Sequence, residues 1–301
     1  MFKCEKMKNL FLFIGVFFLL FSFETSQTLN ETSSSSNVDT NSNSESIFFV
    51  DSIYSKYLNE YRKQNVYLPK DFNSEKSYPI IFATDGGSEI TDLKKVLDSL
   101  INTNIIQPVI FIASFSNDKI ADSTSMTNGY GKKMYLTYRN FEYIYRKLTR
   151  EEDSLLVDRF KNHKLYFINE FILENEKKYN QIGKKENRYF YGVSNGAGFG
   201  MSLLNSHPEL IGTYLCFSTF GGNIQTNNWH KKIKYPNLYL RYGSEESFFL
   251  KEDAEFLIAK YSKSKSKIEF KEYIGGHLSE LWEKEFIKIS TVLFSKIKTN
   301  H

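Results

Sequence analysis

Gly192-Val193-Ser194-Asn195-Gly196 sets a serine between two glycines in a G-x-S-x-G pattern. Arg188 to Tyr191 before it reads as a strand, and Ala197 to Leu204 after it as a helix rich in small residues. A serine on such a sharp turn presents its hydroxyl, and the flanking glycines let strand and helix approach closely. Gly198 and Gly200 extend that small-residue surface. A hydroxyl is a weak nucleophile until a base takes its proton. Five histidines could do so. His163 lies in a charged segment, His207 precedes Pro208 at a helix end, His230 follows Trp229 in a polar loop, and His301 is terminal. His277, in Tyr273-Ile274-Gly275-Gly276-His277 after the last predicted strand, is the expected base. A base needs an acid to fix its tautomer. The strand Leu238–Tyr242 ends at Gly243-Ser244-Glu245-Glu246, which gives the order Ser…acid…His. Glu246 is preferred, then Glu245 and Asp253. An oxyanion needs backbone donors. The Asn195 amide is one; the other is placed at Gly86 or Gly87 in Asp85-Gly86-Gly87, with Ser88 next. No metal-ligand spacing such as H-x-x-x-H occurs, so the chemistry calls for no metal and no cofactor.

The elements that must carry these residues alternate. Ile47 to Leu68 reads as two antiparallel strands turning near Leu58-Asn59. Tyr78–Thr84 and Val109–Phe115 are continuous apolar runs, as in strands buried on both faces. Leu210–Phe217 and Ile268–Tyr273 complete the strands. Helices are expected over 90–101, 165–179, 251–261 and 281–297. Strand and helix in alternation predict an α/β fold with a mainly parallel sheet covered on both faces, the two opening strands forming an antiparallel edge. Ser116 to Lys161, with Gly129, Tyr130 and Gly131, reads as an irregular insertion at the substrate side.

Composition narrows the classes. Of 301 residues 41% are hydrophobic and 25% charged, which suits a globular chain and excludes a wholly disordered one. The net charge of +4 comes from dispersed residues and gives no reason to expect nucleic acid as a partner. Two cysteines, Cys4 and Cys216, exclude a disulfide framework; Cys216 lies in an apolar run and reads as a core residue. Lys3, Lys6 and Lys8 precede the apolar run Leu10 to Phe23, the layout of a secretory signal, cleaved or kept as a membrane anchor. Residues 1–26 are assigned to it, and the Ser/Asn-rich stretch 27–46, with the sequon Asn30-Glu31-Thr32, to a flexible linker. The remaining 47–301 are expected to form one catalytic domain, in a secreted or periplasmic protein.

The motifs resemble those of the esterase family of α/β-hydrolases, which includes enterochelin esterases, feruloyl esterases and S-formylglutathione hydrolases. Asn65–Phe72 is similar to its V-Y-L-P-x-x-Y opening, Tyr78–Gly87 to its strand and oxyanion loop, and Tyr191–Gly212 to its G-x-S-x-G-G…P-E-L-F run. Gly243–Phe248 resembles G-x-x-D-x-F, with Glu246 where many members have Asp, and Gly275-Gly276-His277 with Trp282 resembles G-G-H-x-x-x-x-W. Tyr138–Tyr143 is similar to an R-x-x-E-Y pocket element. The resemblance implies the α/β-hydrolase fold and a serine ester hydrolase, with Arg139, Glu142 and Trp282 as candidate substrate contacts. Arg139 and Glu142 could instead pair with each other to order their loop. The expected substrate is a small-molecule or acyl-sugar ester, siderophore esters included. An acyltransferase of the same fold and a non-catalytic binding homologue are the alternatives.

Overall fold

The computed structural model describes residues 45–127, 133–145, 156, 158–181 and 183–296. The leader, Cys4, the sequon, Gly129–Gly131 and His301 lie outside them. No helix among the described residues is long and apolar enough to cross a membrane.

The expected opening hairpin is β1 (Ile47–Ser55) and β2 (Glu60–Leu68), antiparallel, with Asn59 at φ 54° in the turn. β2 pairs antiparallel with β4 (Ile110–Ser114). From β4 onward every pairing is parallel, through β3 (Ile80–Ala83), β7 (Arg188–Val193), β8 (Thr213–Phe217), β9 (Asn237–Gly243) and β10 (Ile268–Tyr273). The sheet order is β1-β2-β4-β3-β7-β8-β9-β10, so β3 and β7 lie side by side at its centre. This is the mainly parallel sheet with an antiparallel N-terminal edge that the sequence predicts.

Alternation along the strands divides the core. Ile80 and Phe82 point to one face, Ile81 and Ala83 to the other. The first face packs under α5 (Ser194–Ser206) and α6 (Phe248–Ser264) through Phe199, Leu203, Ala254 and Leu257. The second packs under α1 (Leu93–Asn102) and α7 (Ser279–Leu293) through Leu97, Trp282 and Phe286. Cys216 is buried on β8, where burial pushes its thiol pKa up and keeps it unreactive.

The insertion is more regular than its sequence suggests. It holds a separate antiparallel pair, β5 (Ile120–Thr127) and β6 (Lys133–Thr137), and a short helix α2 (Tyr138–Tyr143). Strands as rich in Ser, Thr and charge as Ile120–Thr127 leave little periodic apolar signal. The helix predicted at 165–179 begins earlier: α3 (Arg159–Tyr166) continues through a π-helical segment, Phe167–Ile172, into α4 (Leu173–Lys178).

His163, expected in a charged loop segment, is buried on α3 against the rings of Tyr143, Tyr166 and Phe199 at 5.3, 5.7 and 4.7 Å. Burial first, and then the Arg62 and Arg159 guanidiniums, hold its pKa well below the ordinary 6.5. The folded protein keeps it neutral, whereas the unfolded chain takes up its proton as pH falls below about 6.5. Its contribution is therefore complete above that pH and lost progressively below it. The thermal midpoint is expected to fall between about pH 6.5 and 5, and His163→Phe to flatten part of that fall. An equally steep fall in the variant would assign the loss to other groups.

Candidate active site

All the candidate residues that the sequence places after strands sit at one edge, beyond the carboxyl ends of the parallel strands. Ser194 follows β7 directly and opens α5 with φ 51°. That left-handed conformation is costly for a non-glycine residue and is characteristic of constrained functional turns. Its neighbours explain how the turn closes. A Cβ on Gly192 would lie 2.8 Å from the Gly196 carbonyl carbon, and one on Gly196 would run into the Thr84 side chain and the Asp85 carboxylate. The elbow thus packs directly on the turn after β3. The Asn195 amide lies in the first turn of α5, where no intrahelical acceptor exists, at the positive end of the helix dipole. The Phe220 amide donates to the Ser194 carbonyl at 3.1 Å.

The turn after β3 has three successive left-handed residues, Asp85, Gly86 and Gly87, at φ 56°, 66° and 70°. The glycines adopt this without penalty. The Gly87 amide closes the turn on the Thr84 carbonyl at 3.0 Å, so an oxyanion would compete for it. The Gly86 amide makes no such closing bond, and the Gly86 carbonyl is held by Asn65 Nδ2 at 2.7 Å. The Asp85 carboxylate is gripped by Arg139, from Nε at 2.6 Å and Nη2 at 3.0 Å. The Asp85 amide donates to the Tyr143 hydroxyl at 3.3 Å, and the Arg139 guanidinium lies 4.9 Å above the Tyr143 ring. Burial alone would lower the Arg139 pKa; the Asp85 charge overrides it and holds Arg139 above its ordinary value. Glu89 is buried beside this pair, and burial, then the Asp85 charge, push its carboxyl well above the usual range.

The loops after β9 and β10 bring base and acid together. His277 Nδ1 lies 3.2 Å from Glu246 Oε1. The carboxylate is buried while the imidazole keeps a solvent-facing side. Glu245 is exposed, and Asp253 accepts from Gln225 at 2.8 Å, so neither stands in that place. The Tyr273 hydroxyl donates to Glu246 Oε1 at 3.3 Å. Trp282 Nε1 donates to Ser218 Oγ at 2.7 Å and Tyr273 Oη at 2.9 Å, which are 2.9 Å from each other. The Trp282 ring meets His277 edge-on at 4.7 Å. Sequence reading missed Tyr273 and Ser218. Their one signal is position: Tyr273 ends β10 just before Gly275-Gly276-His277, and Ser218 ends β8 at φ 48°.

The three candidate substrate contacts are placed differently. Trp282 is buried beneath the acid and base, so it supports His277 and Glu246 rather than facing a ligand. Glu142 is wholly buried, bonded by Arg62 at 3.0 Å from both terminal nitrogens and by Arg159. Arg139 and Glu142 are not partners of each other: Asp85 for Arg139, and Arg62 and Arg159 for Glu142, replace the local pair that spacing allowed. The reason is directional, since one side chain of α2 points to the β3 turn and the other to β2 and α3.

The Asp85–Arg139 pair is the clearest energetic test of this arrangement. Arg139→Leu leaves a carboxylate buried beside Glu89 without its counter-charge, which costs about 3–5 kcal/mol. Urea unfolding of the variant is expected to show that loss, with part of it recovered by adding Asp85→Asn. A loss below about 1 kcal/mol would mean that the turn is held by other contacts.

A family model described as "Putative esterase" matches residues 55–293. No curated protein sequence gives a significant match. Solved structures share the fold at low identity. A ferulic acid esterase superposes with a TM-score of 0.63 at 18% identity, over 84% of this chain and 99% of its own. The enterobactin esterase of Shigella flexneri gives 0.62 at 15%, over 82% of this chain and 58% of its own. The S-formylglutathione hydrolase of Staphylococcus aureus gives 0.54 at 14%, over 83% and 97%. Likeness at such identity establishes the α/β-hydrolase fold, and the family match, which spans most of the sequence, goes further: the chain belongs to this esterase family and is a carboxylic ester hydrolase.

Proposed function

We propose that Ser194, His277 and Glu246 form the triad of a secreted serine esterase. The observation that carries this is the 3.2 Å contact between His277 Nδ1 and the buried Glu246 carboxylate, on loops beside a serine held in a left-handed elbow. Glu246 accepts from Nδ1–H and so leaves Nε2 as the basic nitrogen. His277 takes the Ser194 proton as Oγ adds to the ester carbonyl. The tetrahedral oxyanion is received by the amides of Asn195 and of Gly86 or Gly87. Collapse breaks the bond to the alkoxy oxygen, His277 returns the proton to the leaving alcohol, and an acyl-Ser194 remains. Water, deprotonated by His277, hydrolyses it and restores the serine.

The surroundings of the elbow favour an ester with an aromatic or long apolar acyl group. Phe220, bonded through its amide to the nucleophile, lies 5.5 Å from Phe249, which meets the exposed Phe248 at 5.8 Å. These rings run from the serine backbone to solvent. Acylated carbohydrates and aryl siderophore esters carry such groups, and the solved relatives include esterases named for ferulic acid and enterobactin. Residues 1–26 would direct the chain out of the cytoplasm, with the Ser/Asn-rich stretch as its tether.

Hydrolysis of p-nitrophenyl esters tests the reading. Ser194→Ala should lower kcat by roughly 10⁶ and Glu246→Gln by roughly 10⁴, with KM little changed. Glu245→Gln should stay within about twofold. Full turnover by Ser194→Ala would sink the proposal. In a comparison of acyl groups, Phe248→Ser should raise KM for aromatic and octanoyl esters by roughly 10-fold and leave acetate unaffected.

A further inference from the structure

The edge of the sheet opposite the active site carries charge that the reaction does not use. Segment 224–238 leads into β9 and segment 256–268 into β10, so both lie at the amino ends of the parallel strands. The Tyr235 amide donates to Ser266 Oγ at 2.8 Å and the Leu238 amide to the Lys267 carbonyl at 3.0 Å, which joins the two segments into one surface. Trp229, Tyr235 and Tyr261 pack their rings between them, with centroids 4.9 and 6.1 Å apart along that row. Lys231, Lys232, Lys234, Lys263, Lys265 and Lys267 are all exposed on this surface. Neither segment contains an Asp or a Glu. Among the described residues none of the six forms an ion pair. Like charges held this close repel one another and call for counter-charge from outside the chain.

The chain enters the fold at the same end of the strands but on the far side of the sheet, since β1 is one outer strand and β10 the other. β2 runs antiparallel to β4 and β1 antiparallel to β2, so Ile47, paired with Leu68, lies at the amino-terminal end of the parallel strands. The residues ahead of it include Lys3, Lys6 and Lys8 followed by the apolar run Leu10–Phe23.

We propose that this lysine face docks on an anionic lipid surface, with the active-site edge turned away from it. A single apolar or acyl attachment holds a protein only weakly, and a basic face turned to the same surface supplies a second, additive attraction. A flat anionic surface needs nothing from the protein but a field, which six flexible lysines provide. A single-stranded polyanion would instead be met by exposed rings for stacking. Here Trp229 is turned inward, its Nε1 bonded to the Ile224 carbonyl at 2.7 Å. Docked this way, the enzyme keeps its ester site open to soluble substrates.

The test is cosedimentation of the full chain with phosphatidylcholine vesicles, neutral or carrying about a third phosphatidylglycerol. The comparison is a variant with all six lysines changed to Gln, which keeps the N-terminal segment and its own lysines. The parent is expected to bind anionic vesicles at least roughly tenfold more tightly than the variant, and the difference to vanish at about 0.5 M salt. Turnover of a soluble p-nitrophenyl ester should be equal for parent and variant and unchanged within about twofold on the vesicles. Equal binding of parent and variant to anionic vesicles would overturn the proposal. So would a lysine-dependent affinity for heparin with none for vesicles, which would assign the face to a polyanionic polymer. If the six-fold variant does not fold, the triple variants at 231, 232, 234 and at 263, 265, 267 give the same readout, each at roughly threefold.

Discussion

The nucleophile turn rests on a contact in which a side chain has been dispensed with. Gly196, one turn into α5, lies directly against Thr84 and Asp85, and any Cβ there would displace them. This approach lets two neighbouring central strands, β3 and β7, end together, so that the amides after Ser194 and after Thr84 share one small volume. The same edge stores the backbone cost of the arrangement. Three strands, β3, β7 and β8, are each followed by a left-handed non-glycine residue: Asp85, Ser194 and Ser218. Such conformations persist only where the surroundings over-determine them. Here the surroundings are the buried sheet beneath, the hydrogen bonds donated by Asn65, Phe220 and Trp282, and the one that Tyr143 accepts from the Asp85 amide.

The insertion is fastened by buried charge as well as by apolar burial. Glu142 on α2 sits wholly buried between Arg62 of β2 and Arg159 of α3, and Glu60 also accepts from both arginines, at 2.8 and 2.7 Å. Arg139, three residues earlier, reaches the β3 turn. A buried cluster of this kind is a poor source of stability, because desolvation offsets most of the attraction. Its value lies in direction: bidentate guanidinium–carboxylate bonds fix orientation as apolar contacts do not. α2 is only six residues long; it buries Phe141 and Tyr143, the latter stacked on Phe199 at 5.6 Å. Tied through its two ends to β2 and to the turn after β3, it fixes that turn against the insertion.

The candidate site is legible in the sequence where its residues lie in short local runs. The serine elbow, the glycines after β3 and the G-G-H loop each combine a strand end with a turn, and the structure puts each at the carboxyl edge. Among the acids, position alone could not separate Glu245 from Glu246; the geometry of the β10 loop, 31 residues on, makes the distinction. The partners of Arg139 and Glu142 lie 54 and 80 residues away, beyond any helical or strand period. Spacing therefore suggested a local pair where the fold makes two distant ones. Trp282 was legible as part of the site but not as a support, because burial under Tyr273 and Ser218 depends on how α7 packs on the sheet.

A whole-chain charge of +4 hides a separation that only the fold makes visible. Around the ester site the exposed charges include Glu245 and Glu280, with Glu283 half-buried beside them. At the amino ends of β9 and β10 two acid-free segments concentrate six lysines. Composition averages the two edges, whereas a parallel sheet keeps them apart by its full strand length. Within a Debye length of about 8 Å a surface meets only the edge that faces it. Loops at the carboxyl edge answer to the substrate, while loops at the amino edge, free of that constraint, can answer to the place where the enzyme works. The parallel topology that assembles the catalytic loops at one end thus leaves the other end available for a second, independent interaction.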